Sequence, residues 1–212
     1  MNDFEIKVVS LKFLSKKNNL FNVKLENSSN YKVHADFVVE FNIKKNSLVK
    51  KEILINAVNQ TEKRLIKNKI VVLLSYRQRS KNELKELFLT NGFSLNNIKD
   101  VINDLEQRGY INDHKFAYMY ASHLVKEKKL GQFLVEQKLK EHKIDSQTIK
   151  VIVSRLYKDF PSVEMINEII RKKKRFNSKS EKDKIKLTNY LKRKGFQLEE
   201  IISVMQSDPY NF

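Results

Sequence analysis

The chain has 212 residues, with 42 Lys+Arg against 25 Asp+Glu, a net charge of +17 and a pI near 9.8. With 41% hydrophobic residues it can bury a core, and it has no cysteine, which excludes disulfides, thiol catalysis and zinc–thiolate sites. The longest aliphatic run, Ile70-Val71-Val72-Leu73-Leu74, falls far short of the ~20 residues of a membrane span, and Asp3 and Glu5 stand where a signal peptide would be basic, so no membrane partner and a cytoplasmic location are expected.

The first fifty residues alternate with a period of two. Phe4, Ile6 and Val8 are separated by polar residues, and Phe21, Val23 and Leu25 interleave with Leu20, Asn22 and Lys24. That is the pattern of half-buried strands, and Asn27-Ser28-Ser29-Asn30 supplies a turn before Tyr31-Lys32-Val33. A small antiparallel sheet of about three strands is predicted, with a short helix around 36–41. From about Lys51 onward the period becomes helical.

Beyond that point the chain repeats. Residues 80–105 align without gaps on 131–156, and 186–205 align on the second copy one residue further out of step. Six columns are apolar in all three copies: Leu84/Val135/Leu187, Phe88/Leu139/Leu191, Phe93/Ile144/Phe196, Ile98/Ile149/Ile201, Val101/Ile152/Val204 and Ile102/Val153/Met205. Each copy reads as a helix pair preceded by a further helix, at about 62–77, 116–128 and 163–175. Ser80 and Glu83 form a capping-box pattern, Ser94 and Asp145 stand at cap positions, and Gly92, Gly109 and Gly195 stand where a chain leaves a helix through the left-handed region. The predicted fold is mainly α: three tandem three-helix repeats (51–113, 114–161, 162–212) forming an elongated molecule, preceded by a small β-rich N-terminal module (1–50).

No catalytic constellation is visible. His34, His114, His123 and His142 form no H-E-x-x-H or comparable metal-binding pattern, and neither G-x-x-x-x-G-K-S/T nor G-x-G-x-x-G occurs. Glu199 and Glu200 read as first-turn acids that complement a helix dipole. The chain is expected to be no enzyme and to need no cofactor, metal or small-molecule ligand.

The cations recur by repeat. Arg77, Arg79 and Lys81 end the first helix of repeat one, and Lys126, Lys128 and Lys129 that of repeat two. The run Arg171-Lys172-Lys173-Lys174-Arg175 ends that of repeat three. Second helices end in Lys138, Lys140 and Lys143, and in Lys192-Arg193-Lys194. Cations at helix C-termini gain only ~0.3–1 kcal/mol from the dipole, which does not account for five in a row; contact with nucleic-acid phosphates does. A helix-turn-helix reader built on Asn91-Gly92-Phe93-Ser94 is the competing reading. Its recognition helix would carry Asp100, Asp104 and Glu106 toward the phosphates, which argues against it.

The string Ser75-Tyr76-Arg77-x-Arg79-Ser80-x-x-Glu83-Leu84, then Gly92-Phe93, then Gly109-Tyr110-Ile111-Asn112-Asp113-x-x-Phe116-Ala117, resembles the RecX regulatory proteins of bacteria over residues 60–205. The resemblance implies tandem three-helix repeats and a RecA recombinase filament as partner. It implies inhibition of RecA ATPase, strand exchange and coprotease activity, and direct binding of single-stranded DNA. It also implies structural roles: Ser80 and Glu83 as a cap, Gly92 and Gly109 as helix stops, Asp113 as the cap of the following helix, and Tyr76 and Arg77 as structural or contact residues. The chain departs from the family at His142-Lys143-Ile144, where a glycine stop gives way to lysine, and at Lys126–Lys129, where lysine replaces arginine. The alternative function is a stand-alone, non-sequence-specific single-strand nucleic-acid-binding protein.

Overall fold

The computed structural model describes residues 5–172 and 181–207. Strands β1 (Glu5–Ser15), β2 (Leu20–Leu25), β3 (Asn30–His34) and β4 (Leu48–Lys50) form an antiparallel sheet in the order β3-β2-β1-β4, with helix α1 (Ala35–Glu40) between β3 and β4. The fourth strand goes beyond the three that the sequence pattern predicts, because three residues are too few to display a period of two. It pairs with Glu5–Lys7 at the start of β1. Alternation sends Val8, Val23, Leu25, Val33 and Val49 to one face, where they pack with Val38, Ile43, Leu54 and Ala57.

Helix α2 (Lys51–Tyr76) starts well before the 62–77 that the repeat pattern marks out. Its 26 residues contain neither glycine nor proline, so nothing interrupts the backbone hydrogen bonds between the sheet and the first repeat. Leu54 and Ala57 join the sheet core, whereas Ile66 and Ile70 join Leu84, Phe88, Ile98, Val101, Ile102, Leu105 and Ile111 of the next one. Between the two patches the Thr61 hydroxyl donates to the Ala57 carbonyl and accepts the His34 N–H at 2.8 Å, which pins β3 to the helix.

Helices α3 (Lys81–Thr90) and α4 (Leu95–Gln107) complete the first triplet. One compact unit takes in residues 1–77 and 84–111, and the other residues 78–83 and everything from 112 onward. In the second unit α5 (Asp113–Lys126), α6 (Gln132–Glu141), α7 (Ser146–Asp159), α8 (Ser162–Lys172), α9 (Glu181–Arg193) and α10 (Leu198–Ser207) share one continuous core. Of the eighteen residues in the six repeat columns, all are buried except Phe93 and Met205, which are partly buried.

The helix ends carry several corrections to the sequence reading. Ser80 does cap α3, accepting from the Glu83 N–H at 3.0 Å, and Asp145 caps α7 through the Thr148 N–H at 2.8 Å. Ser94 stands at the N-cap of α4 but makes no side-chain cap bond; its own N–H donates to Glu62, which also holds the Asn97 amide. Asp113 does not cap the following helix α5. Asn112 does that, accepting the Lys115 N–H, while Asp113 takes the Lys81 N–H at the start of α3. Gly92, Gly109 and Gly195 have φ of +79°, +76° and +87°, and Lys143 keeps the same left-handed stop at +58° without a glycine.

Candidate nucleic-acid interface

The predicted cations fall into distinct environments. Arg77 is the exposed C-cap of α2, whose last turn holds no basic residue, and Lys81 opens α3 instead of closing a first helix. The Lys81 ammonium stands 4.0 Å from Asp113. Arg79 is partly buried; its guanidinium bonds Glu83 at 2.5 Å, and its Nε has no hydrogen-bond partner. Arg79 and Lys81 are thus engaged at the entry to α3, whereas Arg77 is exposed to solvent.

The second unit differs. Lys126 ends α5 with its ammonium 5.0 Å above the Phe160 ring, a cation–π contact that leaves the lysine exposed. Lys129 (φ +50°) turns the chain after α5, and its ammonium reaches Glu168 on α8 at 2.8 Å. The same carboxylate takes Lys172 at 2.6 Å. Hydrogen bonds from Lys129 and then Lys172 pull the Glu168 carboxyl down to about 2. Lys194, after α9, donates to the Lys128 carbonyl at 2.6 Å and sits 3.4 Å from that of Lys129.

These contacts draw the C-terminal ends of α5, α8 and α9 together. Lys129 and Lys172 share Glu168, Lys194 holds the carbonyls of Lys128 and Lys129, and Arg171, Lys192 and Arg193 are exposed in the last turns of α8 and α9. Helix C-termini carry partial negative charge, so part of this cationic field is structural: Lys194 neutralises carbonyls that end α5. The surplus faces solvent. Lys173, Lys174 and Arg175 lie outside the described residues.

Lys138 and Lys140 occupy the last turn of α6. Lys140 borders an open groove of about 630 Å³ between α6 and α7, together with Gln132, Glu136, Lys150, Tyr157 and Lys158. Lys150 and Lys158 were not among the cations singled out from the sequence; their spacing of eight along α7 places them on one side of the helix. Tyr157 donates to the Leu130 carbonyl at 2.6 Å, and burial, with Glu200 and Glu136 nearby, pushes its hydroxyl well above the ordinary value.

The acids of α4 are explained by their partners. Lys63 and Lys67 on α2 bond Asp100 at 2.6 Å and Asp104 at 2.9 Å, and Arg108 adds a second bond to Asp104. Bonds from Lys67 and then Arg108 hold the Asp104 carboxyl below the usual carboxylate range. Both carboxylates are therefore spent on the α2–α4 contact. Of the histidines, His34 caps α1, and His142 packs edge-on against Phe116 and Tyr120. Among the described residues no cluster of three or more His, Cys, Asp or Glu side chains could hold a metal, and no helix is long and apolar enough to cross a membrane.

No family model matches the sequence. The chain is similar to Regulatory protein RecX of Thermotoga petrophila, 32% identical over 147 residues that cover 68% of this chain and 85% of that protein. It is also similar to Regulatory protein RecX of Clostridioides difficile, 31% identical over 177 residues and covering 82% of both chains. With Regulatory protein RecX of Bacillus velezensis the identity is 28% over 193 residues, covering 90% of this chain and 73% of the other. Among solved structures, a crystal structure of regulatory protein RecX matches with a TM-score of 0.67 at 15% identity, covering 95% of this chain and 100% of that one. RecX from Lactobacillus salivarius matches with a TM-score of 0.60 at 23% identity, covering 68% and 95%. At those identities the two structures speak for the fold alone.

Proposed function

The chain belongs to the RecX family of regulatory proteins, and from that premise we propose that it binds a RecA–DNA filament in the cytoplasm and restrains it. In this reading it slows RecA ATP hydrolysis and blocks strand exchange and coprotease activity while touching the DNA itself. The observation that carries the reading is the convergence of Lys128, Lys129, Lys172 and Lys194, with Arg171 beside them, at the ends of α5, α8 and α9. Glu168 pairs with Lys129 and Lys172, while Lys128 and Arg171 are exposed at the same helix ends, so positive charge there is available to phosphates or to an acidic protein surface. The β-rich module at 1–50 and the helix triplets at 51–113, 114–161 and 162–212 are taken as the working parts.

The test is single-strand-dependent ATP hydrolysis by the cognate RecA, titrated with this protein at near-physiological salt. Substoichiometric inhibition is expected. Unchanged hydrolysis at saturating protein would overturn the filament reading. The net charge of +17 supports a second reading, a stand-alone single-strand binder, which predicts DNA binding that RecA does not influence.

A further inference from the structure

The core of the N-terminal sheet lies on one of its faces. On the other face Leu20 and His34 are buried at one end, and beyond them the residues fall into two rows that cross three strands. One row is Lys12–Asn22–Lys32 and the next is Ser10–Lys24–Asn30. Asn22 donates to Asn30 at 3.0 Å, which ties the rows together on that face. Lys12, Lys24 and Lys32 are all exposed. With strands ~4.8 Å apart and ~3.3 Å of rise per residue, the three lysine Cα atoms make a triangle about 8–10 Å on a side.

Three features set this face apart from an ordinary solvated sheet. No acid stands in either row: Glu26 accepts from the Lys7 N–H, and Glu5 pairs opposite Lys50, both at the far end of β1. Among the described residues none of the three lysines takes part in an ion pair. Lysines also guard sheet edges against strand pairing, but Lys24 lies on β2, an interior strand with a neighbour on each side. Like charges facing one another across strands destabilise a sheet; here each lysine is set beside Asn or Ser, which keeps the charges apart and adds neutral hydrogen-bonding groups between them. Lys16 and Lys17, exposed in the turn from β1 to β2, extend the field.

From this arrangement we infer that the open face of the N-terminal sheet is a binding surface for the phosphate backbone of a single DNA strand, with Lys12, Lys24 and Lys32 on phosphates and Asn22, Asn30 and Ser10 on phosphate or sugar oxygens. The strand is held by its backbone and not by its bases. Phe21 and Tyr31 pack toward the core, and Phe13 meets Phe21 edge-on at 5.2 Å, so no ring offers its face to a base on the open side. The inference goes beyond the filament reading and does not depend on it, because the face belongs to the chain alone.

The experiment is the salt dependence of binding to a fluorescein-labelled oligothymidylate, followed by anisotropy with the full chain and without RecA. The triple variant Lys12→Ser/Lys24→Ser/Lys32→Ser is compared with Lys12→Arg/Lys24→Arg/Lys32→Arg, both first checked for an unchanged circular-dichroism melt. A slope of log affinity against log salt that falls by roughly 2 in the serine variant, at about 0.7 per lost contact, and is retained in the arginine variant is the expected result. An unchanged slope in the serine variant would overturn the inference and leave the face to an acidic protein surface. Equal loss in both variants would also overturn it, since a phosphate contact requires the charge and not the lysine.

Discussion

Replacing Gly131 with alanine should cost more stability than replacing Gly92, a glycine in an open left-handed turn. Gly131 has φ −76° and ψ 162°, extended backbone that alanine adopts without cost. The obstacle is space. A Cβ at this position would stand 2.3 Å from both the carbonyl carbon and oxygen of Gly195, and 2.4 Å from the Phe196 nitrogen. All three atoms are backbone in the turn between α9 and α10, and that turn is fixed by hydrogen bonds from Gly195 to Lys192 and from Phe196 to Leu191. The start of α6 must therefore back away by about 1 Å, into the range of ordinary van der Waals separation. Doing so stretches the 2.7 Å bond from the Gly131 N–H to the Lys194 carbonyl. Overpacking costs ~1–3 kcal/mol and a lost hydrogen bond ~1 kcal/mol, so about 2–4 kcal/mol is expected. At 2–4 °C per kcal/mol for a chain of this size, the melting temperature should drop by roughly 4–16 °C. Gly92→Ala is the control. It sits at φ +79° with nothing within 4 Å of its Cβ, so only the left-handed penalty of ~1–2 kcal/mol applies. Scanning calorimetry on both variants decides the matter. If Gly131→Ala melts within about 1 °C of the parent, or Gly92→Ala is the worse of the two, the close crossing of α6 over the α9–α10 turn is refuted.

Two further outcomes follow from the helix ends. Asp113→Ala removes the acceptor for the Lys81 N–H and should cost ~0.5–2 kcal/mol by urea denaturation, with Asn112→Ala similar through α5. A neutral Asp113→Ala would refute its role at the start of α3. Glu168 titrates at about 2 against an ordinary 4.5, because Lys129 and Lys172 favour its ionised form. Its contribution to stability is therefore fully present above pH 4.5 and fades as the pH falls through about 2. Carbon-13 NMR of the carboxyl follows this directly, and a midpoint near 4 would show that the two lysines do not reach it.

The helical repeat was legible because its signal is redundant. Six columns in three copies must each present an apolar side chain at helical spacing, and the structure buries or half-buries every one of them. Glycine stops were legible for the same local reason, since few residues tolerate the left-handed region. Lys143 and Lys129 show the limit: both adopt positive φ where surrounding packing imposes it, with no glycine to announce it. Cap assignment failed where two cap-type residues are adjacent. Asn112 and Asp113 are equivalent in local sequence, and only the approach of α3 decides which serves which helix. The candidate interface was legible as charge but not as geometry. Lys192, Arg193 and Lys194 read alike in sequence, yet Lys194 turns inward to carbonyls at Lys128 and Lys129 while the other two stay exposed. Lys129 and Glu168 are partners across α6 and α7, a separation at which local pattern carries no information.

Helix α2 holds one core at its beginning and another at its end, and that sets a rule on how this chain can vary. Each residue of an α-helix adds 1.5 Å and a rotation of about 100°. One insertion between Asn59 and Ile66 would therefore turn Ile66 and Ile70, with the helices packed on them, by about 100° relative to Leu54 and Ala57 on the sheet, breaking the bond between Asn59 and Asn97. A deletion would do the same in the opposite sense. Substitutions on the exposed positions of this stretch are cheap, but changes in its length are not. Its residue count is a gauge as rigid as any core side chain, whereas the turn between β1 and β2 can lengthen without disturbing either core.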